Sequence, residues 1–236
     1  MMKPVLVLAG GFGTRLKSVV PDLPKPLADV NGRPFLWWLL KHLENQGASD
    51  VYLSVGYLHE KIQSYFGHKY NDINLHYIIE TEPLGTGGAI TNAAQYILGN
   101  TFLVLNGDTL AMLDIKKMIA DAEEHASKLS IAVVKVEDAT RYGTVIIDEN
   151  NRITGFAEKG QSGLGKINAG IYLIDKSIFN EYEIPRKFSF ETDFLAKYIK
   201  TLNLLAYDQL TDFIDIGIPE DYAASQQKVP AMVNKS

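Results

Sequence analysis

The chain has 236 residues, 46% of them apolar, a formal net charge of −5 and no cysteine. This length supplies a core for one globular domain, or one with a small appendage. The missing cysteine excludes a disulfide framework, a thiolate zinc site and a cysteine nucleophile. The negative charge argues against nucleic acid as a partner, because phosphate-backbone binding needs clustered Lys and Arg. Any anion site is therefore local.

The first predicted strand covers residues 5–9. That apolar run is too short for the core of a signal peptide and no stretch approaches a membrane span, so a cytoplasmic protein with no membrane partner is expected. "PFLWWLLKHLENQG" predicts a helix opened by Pro34 and closed by Gly47, its bulk spread round the circumference as in a buried helix, with Trp37 and Trp38 in the core. Further strands are predicted over 51–55, 75–79 and 102–105, and helices over 59–66, 86–97 and 114–126. This alternation gives parallel strands covered by helices on both faces. Beyond residue 130 the pattern turns β-rich, with "SIAVVKV", "YGTVIID", "RITGFAE" and "INAGIYLI" separated by turn residues. Two helices follow, over 191–200 and 219–227, with "FIDIG" between them, and the polar end of the chain is expected to fray.

The segment after the first strand, "VLVLAGGFGTRLKSVVPDLPKPL", begins like a dinucleotide-binding turn and then departs from it. Aligned on Gly11 and Gly13, the third glycine of G-x-G-x-x-G is replaced by Leu16, and no acidic residue closes "VYLSVGY" to hold a ribose. A P-loop fails as well, since no Gly-Lys-Ser/Thr follows. What remains is a long loop stiffened by Pro21, Pro24 and Pro26, with Gly10, Gly11 and Gly13 allowing close backbone approach, Thr14 a hydroxyl, and Arg15 and Lys25 positive charge. Backbone N–H groups wrapped round phosphate oxygens, with Arg15 forked onto them and Lys25 as a point charge, suit a triphosphate. Taken alone, the glycine cluster is equally consistent with an irregular surface loop.

"LAGGFGTRL" with "PKPL", "EPLGTGGA" (82–89), "NGD" (106–108), "RYGTV" (141–145), "EK" (158–159), "NAGIY" (168–172) and "DIGIPEDY" (215–222) together resemble, in order, the sugar-1-phosphate nucleotidylyltransferases, or sugar nucleotide pyrophosphorylases. The resemblance spans nearly the whole chain. It implies a Rossmann-like three-layer α/β/α nucleotidyltransferase fold with a mixed, mainly parallel central sheet. It also implies one domain over 1–228, with a nucleotide half to about 130, a sugar half beyond it, and a tail at 229–236. The activity implied is transfer of a nucleotidyl group from an NTP to a sugar 1-phosphate, releasing pyrophosphate, in a minimal single-activity version. "IETEPLGTGGA", "NGDT" and "RYGTV" are most similar to the branch using GTP and D-glycero-α-D-manno-heptose 1-phosphate to make GDP-heptose. The alternatives are a uridylyl- or thymidylyltransferase on a hexose or N-acetylmuramate 1-phosphate, and a non-catalytic regulatory subunit.

Carried over residue by residue, the resemblance makes Arg15, Lys25 and Asp108 catalytic, with Asp108 and Asp215 as Mg²⁺ ligands. Leu8, Ala9, Gly10, Gly11, Gly13, Thr14, Pro83, Gly85, Thr86 and Gly107 would line the nucleotide site. Glu80 or Glu82 could accept from guanine, unless Glu82 caps the next helix. Gly143, Glu158, Lys159, Asn168, Ala169 and Glu191 would surround the sugar phosphate. Phe213 and Ile218 stand where the family often has Trp and Thr. A hard cation taking one or two carboxylates plus phosphate oxygens fits Mg²⁺. The chemistry asks for no general base, in keeping with five histidines (His42, His59, His68, His76, His125) at no metal-ligand spacing and expected at the surface or in partial core. Exposed apolar residues in the last third could form a homo-oligomer seam, but none is singled out.

Overall fold

The computed structural model describes residues 2–11, 16, 19–158, 160 and 163–235. Strand β1 (Val5–Leu8) is followed by a 3-10 turn at Lys25–Leu27 and a small hairpin of β2 (Asp29–Val30) and β3 (Arg33–Pro34). Next come α1 (Phe35–Asn45), β4 (Asp50–Val55), α2 (His59–Phe66), β5 (Lys69–Tyr70), β6 (Ile73–Ile79) and α3 (Gly85–Ala94). Then follow β7 (Thr101–Asn106), β8 (Thr109–Met112) and α4 (Ile115–Glu124), whose N-terminus is capped by Asp114 accepting from the Lys117 amide. The later part contains β9 (Leu129–Val136), β10 (Thr144–Ile147), β11 (Ile153–Ala157), β12 (Gly165–Asp175), α5 (Ala196–Tyr198), β13 (Leu204–Tyr207), β14 (Asp212–Asp215) and α6 (Pro219–Val233).

The central sheet has the order β11-β10-β12-β7-β1-β4-β6-β5, with β9 pairing both β12 and β13. It is parallel from β7 through β1 and β4 to β6, and antiparallel where β12 joins β7. Alternation along the strands divides the core in two. Val5, Val7, Leu103 and Leu105 face one side with α1, α2, α4 and α6, whereas Leu6, Phe102 and Val104 face the other with α3 and Phe190–Leu195. Period-2 strands thus bury both faces between helices, giving three layers. Among the described residues no helix is long and apolar enough to cross a membrane.

Four expectations need correction. The helix expected over 191–200 is a π-helical turn at Phe190–Leu195 running into the short α5, with Ser189 accepting from the Thr192 amide and Phe190 stacked on Phe194 at 5.4 Å. The expected helical stretch over 219–227 extends to Val233, because Val229, Met232 and Val233 are buried against the core. The polar residues among them conceal a spacing of three and four that puts those side chains on one face. His42, expected at the surface or in partial core, is buried in α1 with both ring nitrogens unpartnered among the described residues. Finally, "TLAM", which falls between the elements predicted at 102–105 and 114–126, is β8, paired antiparallel with β14.

Candidate active site

β1 and β7 are parallel neighbours, and beyond their C-terminal ends lies a cavity of about 360 Å³. Open α/β sheets bind ligands at that edge, where the loops after the strands diverge. The cavity is lined by Leu8 at the end of β1 and Ala9, Gly10 and Gly11 after it, Lys25 and Pro26 from the 3-10 turn, Glu80 and Pro83 to Thr86 before and within α3, and Asn106 at the end of β7 with Gly107 and Asp108 after it. A larger cavity of about 590 Å³ shares only Glu80 and Leu84 with it and holds none of the glycine loop, Lys25 or Asp108. The smaller one therefore gathers the described residues expected to meet the nucleotide.

Gly107 lies where its Cα approaches β1 so closely that a Cβ would stand 2.6 Å from the Leu8 carbonyl oxygen. Its own amide donates to that carbonyl at 2.9 Å, which brings Asp108 round to the first loop. There Asp108 accepts from the Lys25 ammonium, Nζ to Oδ2 2.8 Å, with Lys25 mostly buried. Pro24 and Pro26 restrict the backbone on either side of Lys25, so its charge is held rather than solvated. Asp215 is the register partner of Thr109 across β8 and β14, and the Ile216 amide donates to the Asp108 carbonyl at 3.0 Å. Asp108, just before β8, and Asp215, at the end of β14, are therefore backbone neighbours, and Asp215 Oδ1 accepts from the Gly217 amide at 2.6 Å.

Glu80 and Glu82 separate clearly. Glu80 faces the cavity, with Oε1 accepting from the buried Ser54 hydroxyl at 2.7 Å. Glu82 points to Arg186, 2.6 Å away, and α3 has no side-chain cap. The first turn of α3 requires glycine at 85, where φ is +73° and a Cβ would strike the Phe188 backbone.

The sugar-side residues converge on the same end of the sheet. Thr144 is paired with Ala157 of β11 and with Ile167 of β12, so Gly143, one residue earlier, lies between Glu158 and Asn168. Ala169 is buried and its carbonyl lies 3.4 Å from the Thr109 hydroxyl, which ties that row to the loop carrying Asp108. Glu191, expected beside the sugar phosphate, has both carboxylate oxygens engaged by side-chain hydroxyls. Its Oε1 accepts from the Tyr172 hydroxyl at 2.7 Å and its Oε2 from the Thr86 hydroxyl at 2.9 Å. Gly13, Thr14, Arg15 and Lys159 lie outside the described residues.

The family profile described as "Nucleotidyl transferase" matches residues 4–231. The chain belongs to the nucleotidyl transferase family. Among its relatives, the D-glycero-alpha-D-manno-heptose 1-phosphate guanylyltransferase of Aneurinibacillus thermoaerophilus is 42% identical over 224 residues, 95% of this chain and 97% of that protein. Its counterpart in Campylobacter jejuni is 43% identical over 217 residues, covering 92% and 96%. The structure of HddC from Yersinia pseudotuberculosis complexed with GMP-PN superposes with a TM-score of 0.84 at 44% identity, covering 96% of this chain and 99% of that one.

In this nucleotidyl transferase, motif reading named Gly10, Gly11, Lys25, Glu80 and the loops at Thr86 and Asp108, which meet round one cavity. It missed Asn106, Leu84, Ala89 and Pro26 in the lining, Ser54 behind Glu80 and Tyr172 behind Glu191. The first four sit inside or beside the quoted motifs and could have been included. Ser54 carries no motif signal, and Tyr172, though it closes "NAGIY", is given no role by that motif, because a buried hydroxyl in an apolar strand reads as core until its partner is seen. Among the described residues no three His, Cys, Asp or Glu side chains cluster as a ready metal site, and two acids suffice where phosphate oxygens complete a Mg²⁺ shell.

Proposed function

We propose that this nucleotidyl transferase couples GTP to D-glycero-α-D-manno-heptose 1-phosphate, forming GDP-heptose and pyrophosphate. The observation that carries the reading is the Lys25–Asp108 pair in a glycine-lined cavity that Glu80 also lines. The two heptose guanylyltransferases named above, matched over nearly the full length of both chains, support the choice of substrates.

A phosphate monoester is largely dianionic at neutral pH, its second ionisation lying near ~6. The nucleophile therefore needs no general base, and His42 is buried away from the cavity lining. An oxygen of the sugar phosphate attacks the α-phosphorus, the bridge to the β-phosphate breaks, and pyrophosphate leaves with the bonding pair. Bringing two anions together is the obstacle, so positioning and fixed charge dominate.

Lys25 supplies charge near the reacting phosphorus, and Arg15 holds the triphosphate against Gly10, Gly11, Gly13 and Thr14. Glu80, oriented by Ser54, accepts from the N1 and N2 donors of guanine beside Pro83 and Gly85. Gly143, Glu158, Lys159, Asn168 and Ala169 receive the sugar phosphate. Asp108 and Asp215 would hold the magnesium ion, which when bound neutralises phosphate charge. The test is pyrophosphate release from each of four NTPs with heptose, mannose, glucose and N-acetylmuramate 1-phosphates in Mg²⁺. Turnover confined to GTP with the heptose is expected; turnover with UTP or dTTP instead would overturn the assignment.

A further inference from the structure

One run of hydrogen bonds crosses from the sugar side of the site to the nucleotide side. The Asn168 amide donates to the Tyr172 hydroxyl at 2.8 Å, and Tyr172 donates to Glu191 Oε1 at 2.7 Å. Thr86 donates to Glu191 Oε2 at 2.9 Å and itself accepts from the Phe190 amide at 2.8 Å. Asn168 is fixed at its other end, where Oδ1 accepts from the Gly170 amide at 2.8 Å. The pairing of β12 with β9 breaks register between Asn168 and Tyr172.

Tyr172 is wholly buried, and its phenol is pushed well above its ordinary pKa by that burial and by Glu191. It stays protonated, with one hydrogen to give and a lone pair to accept. The backbone supports the same junction: the Gly87 amide donates to the Phe188 carbonyl at 3.0 Å and the Phe188 amide to the Leu84 carbonyl at 3.0 Å. The start of α3, which lines the nucleotide cavity, is therefore hydrogen-bonded to the segment that carries Glu191.

We propose that Tyr172 and Glu191 are positioning residues that join Asn168 to Thr86, so that binding sugar 1-phosphate at one end strengthens nucleotide binding at the other. This rests on the functional reading above. A ligand that bonds to Asn168 restrains the run further, and the second ligand then has less left to order. Hydrogen bonds in series also polarise one another away from water. Linkage makes the effect reciprocal, so the nucleotide strengthens sugar-phosphate binding by the same factor.

The experiment measures affinity for α,β-methylene-GTP with Mg²⁺ by calorimetry, with and without D-glycero-α-D-manno-heptose 1-phosphate. In the wild type the sugar phosphate is expected to tighten nucleotide binding by about fivefold or more, within the usual span of coupling between sites. Tyr172→Phe keeps the ring and removes the hydroxyl; its ratio should fall to about one, while nucleotide affinity alone stays within about twofold. Thr86→Val should also abolish the ratio and Thr86→Ser should keep it, which supplies a second route if the tyrosine variant folds poorly. A change in thermal stability with the ratio intact would make Tyr172 merely structural and overturn the proposal, as would a wild type that binds both ligands independently. A wild type that binds neither ligand would instead overturn the functional reading.

Discussion

Replacing Met232 by Ala tests whether the end of the chain belongs to the core. Met232 is 4% exposed in the last turn of α6, between Val229 and Val233 at 0% and 1%. Truncating a buried Met to Ala costs about 2–5 kcal/mol, from lost transfer free energy plus the cavity left behind. A site one turn from a helix end can partly collapse, so the lower half of that range, about 2–3 kcal/mol, is expected. For a domain of this size, each kcal/mol lowers Tm by about 2–4 °C, giving a drop of about 4–12 °C. Removing residues 229–236 takes three buried side chains at about 1.5–3 kcal/mol each, a loss comparable with the whole stability of many domains. The truncated chain should lose its cooperative transition. The effect reaches the site, because Lys228 of α6 donates to the Phe213 carbonyl at 2.7 Å, two residues before Asp215. Scanning calorimetry of both variants decides the matter: a Tm within about 2 °C of wild type for each would show that the helix end contributes nothing.

Lys25→Ala should lower kcat by about 10²–10³-fold, the loss seen on removing one preorganised donor, and Asp108→Asn should also slow turnover; wild-type rates of pyrophosphate release in both would remove them from the chemistry. Glu80→Gln keeps the shape but takes away the charge proposed to accept from guanine, so kcat/KM for GTP should fall by an amount equivalent to about 1.5–3 kcal/mol of activation free energy; an unchanged value would move base reading elsewhere. Burial lowers the His42 pKa from 6.5 to about 4, so the unfolded chain takes up the proton first. Its contribution is complete above about pH 6.5 and lost as pH falls towards 4, amounting to about 3 kcal/mol at 1.36 kcal/mol per pKa unit. Urea titrations at several pH values should show a shallower acid loss in His42→Leu than in wild type; parallel curves would show that His42 does not set it.

The amino-acid sequence determined the alternation that builds the sheet, because a strand or helix of several residues writes its buried face into its own period. It also singled out the segments proposed to carry the chemistry, since the glycine loop, Lys25 between two prolines and the Asp108 turn are each short contiguous motifs that need no distant partner to be recognised. Short or irregular elements were hidden. β8 has four residues, all buried, so no alternation marks it, and the π-helical turn at Phe190–Leu195 departs from the helical period. Contacts between remote segments were hidden as well: Lys25 and Asp108 are 83 positions apart, Thr86 and Glu191 105. Tertiary structure alone decided that Glu80 faces the cavity while Glu82 turns to Arg186, and that Glu191 is held by Tyr172 and Thr86. A side chain's type states what it can bond; its partner depends on how the chain returns to it.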